Sequence, residues 1–290
     1  MKEFYLQNIQ ETYPDLQISS VEYNHQGQNS DVLIINRDLI LRFPKYPHLL
    51  KQLKGEVAIL IGIQGQVPLA VPLPTHVNLE GQKIGRAFVG YKRLPGEPLW
   101  RETYREINDE ETVKELATQL GAFLRALHSV PYDTVIDSDL PAKDTYEECA
   151  GTYRRIREKL FGYMRSDARK KVARHFESFL VDRSNFEHEP VLKHGDLGPS
   201  NILFDRAAQK ISGVIDFGNA GLGDPAYDFT GLLSGYGEQF VRQCGRAYQE
   251  VETFLDRIRF YRGTFALLEA LFGIENGDQK AFRAGIQAYI

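Results

Sequence analysis

Two short polar stretches limit what this chain can fold into. HGDLGPSNILFD occupies residues 194–205 and IDFG residues 215–218, each beside an apolar run. They set a carboxylate at Asp196, an amide at Asn201 and a second carboxylate at Asp216. Taken singly, each has a plain reading: Asp196 as a turn residue next to Gly195, Asn201 as a helix cap or turn former, Asp216 as a turn cap. Their joint occurrence in this order and spacing is not explained by those plain readings.

The texture around the stretches shows where such a fold divides. Residues 2–12 read as a short helix that stops before Pro14. From Ile18 to Phe43 come the β-like runs ISSVEY, DVLIIN and LILRF, broken by HQGQNS and by Asn36-Arg37-Asp38. They read as an antiparallel meander. A helix comes next over 48–63, then further β-like runs at 75–79 and 85–92. KRLPGEPL, residues 92–99, reads as a linker. Beyond it the spacing predicts helices over 109–128, 144–164, 167–182, 238–251, 253–272 and 278–288, with the β-like pieces VLKHGD, NILFD and ISGVIDFG between them. The expected division is 1–93 and 94–290, with a hinge at about 91–98. There is no internal repeat.

Composition excludes several alternatives. The chain has 290 residues, 42% hydrophobic and 26% charged, with a net charge of -4 and a pI near 6.0. That balance argues against nucleic-acid binding through a basic face. Cys149 and Cys244, the two cysteines, form neither a CxxC pair nor a disulfide framework. The seven histidines are scattered, with no HExxH, so a transition-metal site is not expected. The first residues hold no apolar signal segment, and no apolar run reaches membrane-spanning length. A cytoplasmic monomer is the expectation, with no nucleic-acid or membrane partner.

What can the spaced set do? A loop Asp free of metal can accept a hydroxyl proton. An Asn carbonyl and an Asp carboxylate are hard oxygen ligands that suit Mg²⁺. Phosphoryl transfer needs this combination: a group to orient the nucleophile and metal to neutralise developing charge.

On HGDLxxxN followed by IDFG, with DPAYDF at 224–229 and FLRALH at 123–128, the chain resembles the aminoglycoside phosphotransferase and choline kinase superfamily. LRFPK, GEVAIL and GYKRLPGEPL resemble the aminoglycoside 2''-phosphotransferases most. The resemblance implies an α+β, bilobal protein-kinase-like fold: a small antiparallel β N-terminal lobe that binds nucleotide and a mainly helical C-terminal lobe. It implies Asp196 as catalytic base, supported by His194, with Asn201 and Asp216 holding Mg²⁺. Asp228 would tie the catalytic loop to a following helix, and His128 reads as a satisfied core histidine. On the nucleotide side, Arg42 stands where the family often has lysine, with Glu56 as its partner. Arg42 alternates with Leu41 and Phe43 and so faces away from their side of the strand. Lys45, three residues on, is a second candidate for the phosphate cation, against a solvated surface charge. Gly27 and Ser30, in the loop 25–32, are the candidates for phosphate contact, against an ordinary hairpin turn. Tyr91, Lys92 and Leu94 would meet the base of ATP or GTP through their backbone, which leaves the choice of nucleotide open.

The implied reaction moves the γ-phosphate to a hydroxyl of a small molecule, an aminoglycoside by resemblance. A macrolide or metabolite alcohol is the alternative acceptor, and a nucleotide-binding module with little activity the alternative class. A protein kinase would need HRD and APE, which are missing. The acidic cluster that the 2''-phosphotransferases carry is replaced by Ser234 and Gly235. Glu238 and Tyr236 remain as acceptor-binding candidates, Tyr236 and Phe240 being either an aromatic wall or helix core.

Overall fold

The computed structural model describes residues 1–25, 27, 29–80, 83–135 and 143–290. The N-terminal part is an antiparallel sheet of β1 (Val21–Asn24), β2 (Ser30–Ile35), β3 (Leu39–Pro44), β4 (Pro74–Asn78) and β5 (Phe88–Lys92), in the order β1-β2-β3-β5-β4. Side chains alternate between its two faces. Leu33, Leu41, Phe43 and Phe88 pack under helix α1 (Lys2–Thr12), with Tyr5 stacked on Phe43 at 4.2 Å. Val89 and Tyr91 pack with Leu53 and Val57 of α2 (Leu49–Gly62). Arg42 lies between Leu41 and Phe43, so it falls on the α2 side.

The chain then passes through β6 (Glu97–Pro98), which pairs with β8 (Ile202–Asp205) of the catalytic region. The C-terminal part is mainly helical: α3 (Arg101–Arg105), α4 (Glu110–His128), α5 (Tyr146–Leu160), α6 (Ser166–Val181), α7 (Phe229–Tyr236), α8 (Glu238–Cys244), α9 (Val251–Asn276) and α10 (Gln279–Ile286). Short strands carry the polar motifs: β8 pairs with β9 (Lys210–Val214), and β7 (Val191–Lys193) with β10 (Gly221–Gly223). Leu116, Leu120, Phe123 and Leu124 of α4 sit at the centre of the main core with Leu192, Ile202 and Val214 of the motif strands. Asp109 caps α4 by accepting from the Thr112 N–H at 2.8 Å.

The expected elements are present with one break. The helix expected over 238–251 ends at Cys244 and restarts at Val251. The end of α8 lies so close to α4 that a Cβ on Gly121 would come within 2.3 Å of the Cys244 carbonyl oxygen. The chain turns there and α9 runs back along α7. Among the described residues, no helix is long and apolar enough to cross a membrane.

Candidate active site

The catalytic loop leaves β7 at Lys193 and turns at Gly195, whose φ of +77° puts it in left-handed space, with the Asn219 carbonyl oxygen 2.3 Å from where a Cβ would stand. Asp228 clasps this turn. One carboxylate oxygen accepts from the His194 backbone N–H at 2.7 Å, the other from the Gly195 N–H at 2.8 Å. Burial alone would raise the Asp228 pKa, but the bond to His128 and the Gly195 N–H hold it below the usual range. His128 is satisfied on both nitrogens, by Asp228 and by the Tyr248 hydroxyl, each at 3.1 Å.

His194 does not line the cleft. It is wholly buried. The Asp196 N–H donates to its Nδ1 at 3.2 Å, so its Nε2–H donates to the Ile215 carbonyl at 3.0 Å. The ring therefore joins the Asp196 loop to the residue before Asp216. The Asn201 amide group donates to the Asp196 carbonyl at 2.8 Å and to its carboxylate at 3.2 Å, and the Ile215 N–H donates to the Asn201 carbonyl at 2.9 Å. Two loops distant in sequence are thereby fixed in register. Asp216 itself sits at φ +66°, a left-handed position uncommon for a residue with a side chain.

Arg42 bridges the two halves of the site. Its guanidinium meets Glu56 at 2.5 Å and Asp216 at 3.0 Å. Burial, which lowers the Arg42 pKa, is outweighed by Glu56, Tyr91 and Asp216, which raise it. Burial lifts the Glu56 carboxyl against the pull of Arg42. Burial also raises the Asp196 carboxyl, the charge of Asp216 adding to it against the pull of His194.

These residues surround one cavity of about 260 Å³, lined by Gly27, Ser30, Arg42, Glu56, Asp196 and Asp216 among others. The donor set suits Mg²⁺. The Asn201 side-chain oxygen Oδ1 is left over when its NH₂ is used, and the second Asp216 oxygen is not held by Arg42. Among the described residues no cluster of three or more His, Cys, Asp or Glu could cage a metal. An ion that takes one or two protein oxygens and completes its shell with phosphate and water fits this geometry.

Other expected positions fall differently. The loop 25–32 holds Gln26 and Gln28, which lie outside the described residues. Gly27 and Ser30 do line the cavity. Lys45 is no free surface charge: it donates to the carbonyls of His25 and Gly27 at 2.7 and 2.5 Å and pairs with Asp31 at 3.4 Å, pinning the loop. Tyr91, Lys92 and Leu94 do not line the polar cavity. Tyr91 is buried, its hydroxyl beside Arg42 and Glu56, and Lys92 is exposed near Asp38.

Both acceptor candidates already have protein partners. The Tyr236 hydroxyl donates to the Leu99 carbonyl at 2.7 Å, and its ring packs on Tyr104 and Phe240, so this is helix core. Glu238 is already paired with Arg242 and Arg259, at 2.9 and 2.8 Å. A side chain at Gly235 would strike Pro199 of the catalytic loop.

Sequence reasoning missed a chamber of about 460 Å³ between α5 and α9, lined by Asp144, Cys149, Gly151, Tyr227, Tyr261 and Thr264 among others. At its wall the buried Lys193 meets Asp144 at 2.5 Å and stands 3.9 Å from the centre of the Tyr227 ring. The signal was a charged residue closing the apolar VLK run just before HGD.

Fold and site together define a class: a phosphotransferase of kinase-like build, with a nucleotide cleft between a β sheet and a helical part. The Phosphotransferase enzyme family (APH) matches residues 21–261, and the chain belongs to it. It is 27% identical over 274 residues to viomycin phosphotransferase of Streptomyces vinaceus, covering 91% of each chain. Among solved structures it is similar to the GDP and kanamycin complex of APH(2")-IIia, at 26% identity and a TM-score of 0.89, over 98% of this chain and 96% of that one. A macrolide 2'-phosphotransferase type I, at 19% identity and a TM-score of 0.76, covering 99% of this chain and 96% of its own, shares the fold.

Proposed function

We propose that this phosphotransferase moves the γ-phosphoryl group of ATP or GTP to a hydroxyl of an antibiotic-type small molecule, in the first instance an aminoglycoside. The observation that carries the reading is the convergence of Asp196, Asp216, Arg42 and Glu56 on one cavity, with Asn201 bonded to Asp196. The nucleotide-bound relatives support a nucleotide donor, and the kanamycin-bound relative supports the acceptor class.

In this reading Arg42, held by Glu56, grips the donor phosphates. Gly27 and Ser30 bring backbone N–H groups to them, and the segment of Tyr91, Lys92 and Leu94 meets the base. Asn201 and Asp216 would hold Mg²⁺, which when bound neutralises phosphate charge. Asp196 accepts the acceptor's hydroxyl proton as that oxygen bonds to the γ-phosphorus. The bond from phosphorus to the bridging oxygen breaks, and the nucleoside diphosphate leaves with the electron pair. His194 and Asp228 hold the loop so that Asp196 is already aimed, which is the contribution positioning makes. The acceptor occupies the chamber beside Tyr227.

A turnover screen tests this: ATP and GTP, each against kanamycin, gentamicin, viomycin and erythromycin, with mass detection of an added phosphoryl group. Phosphorylation of an aminoglycoside is the expected result. Nucleotide turnover unaffected by every acceptor would refute it.

A further inference from the structure

We propose that Tyr227 is an acceptor-positioning residue, its hydroxyl donating to an oxygen of the molecule held in the chamber. The inference rests on the phosphotransferase reading above and adds to it a residue that acts on the acceptor alone.

Of the two tyrosines that line the chamber, one has a partner for its hydroxyl and one has none. A buried tyrosine normally gives its hydroxyl a protein partner. Tyr261 donates to Asp224 at 2.9 Å, as Tyr236 does to the Leu99 carbonyl at 2.7 Å elsewhere in the helical part. Tyr227, the other tyrosine of the chamber, differs. Among the described residues nothing hydrogen-bonds its hydroxyl, and the side chain is only half-buried, lining the chamber.

Everything else about Tyr227 is fixed. Its backbone N–H donates to the Asp224 carbonyl at 3.0 Å in the turn that also presents Asp228 to the catalytic loop. Its ring is held by the Lys193 ammonium at 3.9 Å and by the Tyr261 ring at 5.3 Å. Lys193 is in turn anchored on Asp144, which also accepts from the Asp224 N–H at 3.2 Å. A ring so constrained, ending in an unpartnered hydroxyl, loses little freedom when a ligand arrives. Burial and the charges of Asp144, Asp196 and Asp228 keep the phenol protonated, and so a donor.

Two variants separate the claims. Tyr227→Phe keeps the ring and its contact with Lys193 and removes only the hydroxyl. Gly151→Leu fills the chamber: a Cβ there meets nothing nearer than an Arg154 nitrogen at 3.8 Å, and on α5 the change favours helix. The probe is whichever of kanamycin, gentamicin, streptomycin, viomycin and erythromycin the wild type turns over fastest. Tyr227→Phe should raise the acceptor KM about threefold to tenfold and leave the nucleotide KM unchanged, the loss of one hydrogen bond. Gly151→Leu should raise the acceptor KM as well. If Gly151→Leu does so and Tyr227→Phe does not, the role given to Tyr227 is wrong. If Gly151→Leu changes nothing, the acceptor is not in this chamber and the proposal falls. If the wild type phosphorylates none of the five, the antibiotic-acceptor reading fails and the proposal fails with it.

Discussion

Arg42→Met should be the most informative single change in the nucleotide cleft. In the native protein one guanidinium satisfies Glu56 at 2.5 Å and Asp216 at 3.0 Å, with Arg42 13% and Glu56 4% exposed. Removing the cation leaves the Glu56 carboxylate buried and unpaired, and breaking such a pair from one side costs about 3–5 kcal/mol. With a urea m-value of about 3 kcal/mol/M, the midpoint should fall by about 1–1.7 M. The loss should depend on pH with a definite sign. Burial already raises the folded-state pKa of Glu56, and without Arg42 nothing opposes it. A carboxyl whose folded pKa lies above its unfolded value of about 4.3 leaves stability intact below that value and removes it as pH rises. The deficit of Arg42→Met should therefore be largest at neutral pH and shrink towards pH 4. Arg42→Met with Glu56→Leu should recover most of the lost midpoint, since both partners are then apolar. Arg42→Lys should fall between, because a single ammonium cannot fork to both carboxylates. A single variant within about 1 kcal/mol of wild type at pH 7, or a double variant no better than the single, would show that the buried pair is not what holds α2 to the sheet.

Asp216→Ala should abolish the response of nucleotide affinity to Mg²⁺, measured by titration calorimetry with Mg²⁺ and with EDTA; equal affinities in both proteins under both conditions would refute metal ligation there. Asp228 has a depressed pKa, so the stability it supplies is full above the ordinary aspartate value of about 3.9 and lost as pH falls through its folded value. Asp228→Asn should thus be less stable at pH 7 by thermal melting and lose less on acidification than wild type. Lys45→Met should raise the nucleotide KM while leaving the acceptor KM unchanged, since it releases the carbonyls of His25 and Gly27 from their clamp.

Much of this was legible in the chain. The alternation of Leu41, Arg42 and Phe43 told which face Arg42 takes, and Glu56 awaited it on α2. The spacing of Asp196, Asn201 and Asp216 marked residues that meet because β8 and β9 form a short hairpin between them. What sequence could not show is how a polar group is satisfied. His194 in a catalytic motif is indistinguishable by pattern from a catalytic histidine, yet both its nitrogens go to backbone. Glu238 looked available for a cationic acceptor, but Arg259 comes from α9, 21 residues on, to neutralise it. Lys45 looked solvated for the same reason, its partners being carbonyls across a turn. The chamber escaped notice because its wall comes from α5, α6, α9 and the turn at Tyr227, which no local pattern connects. Short elements such as β6, β10, α3 and α7 carry too few residues for periodicity to register.

Asp196 should take the proton of the acceptor hydroxyl at a site where nucleotide is held by other residues. Asp196→Asn isolates that step, with two readouts on the same protein: nucleotide affinity by calorimetry and phosphoryl transfer to the best acceptor of the screen by single-turnover mass spectrometry. Asn keeps the shape and can still contact Asn201, so the cavity should persist. The expected result is nucleotide binding within about twofold of wild type and transfer slower by about 10²–10⁴, the usual worth of general-base assistance. Transfer at a near wild-type rate would contradict the role of Asp196 as the base.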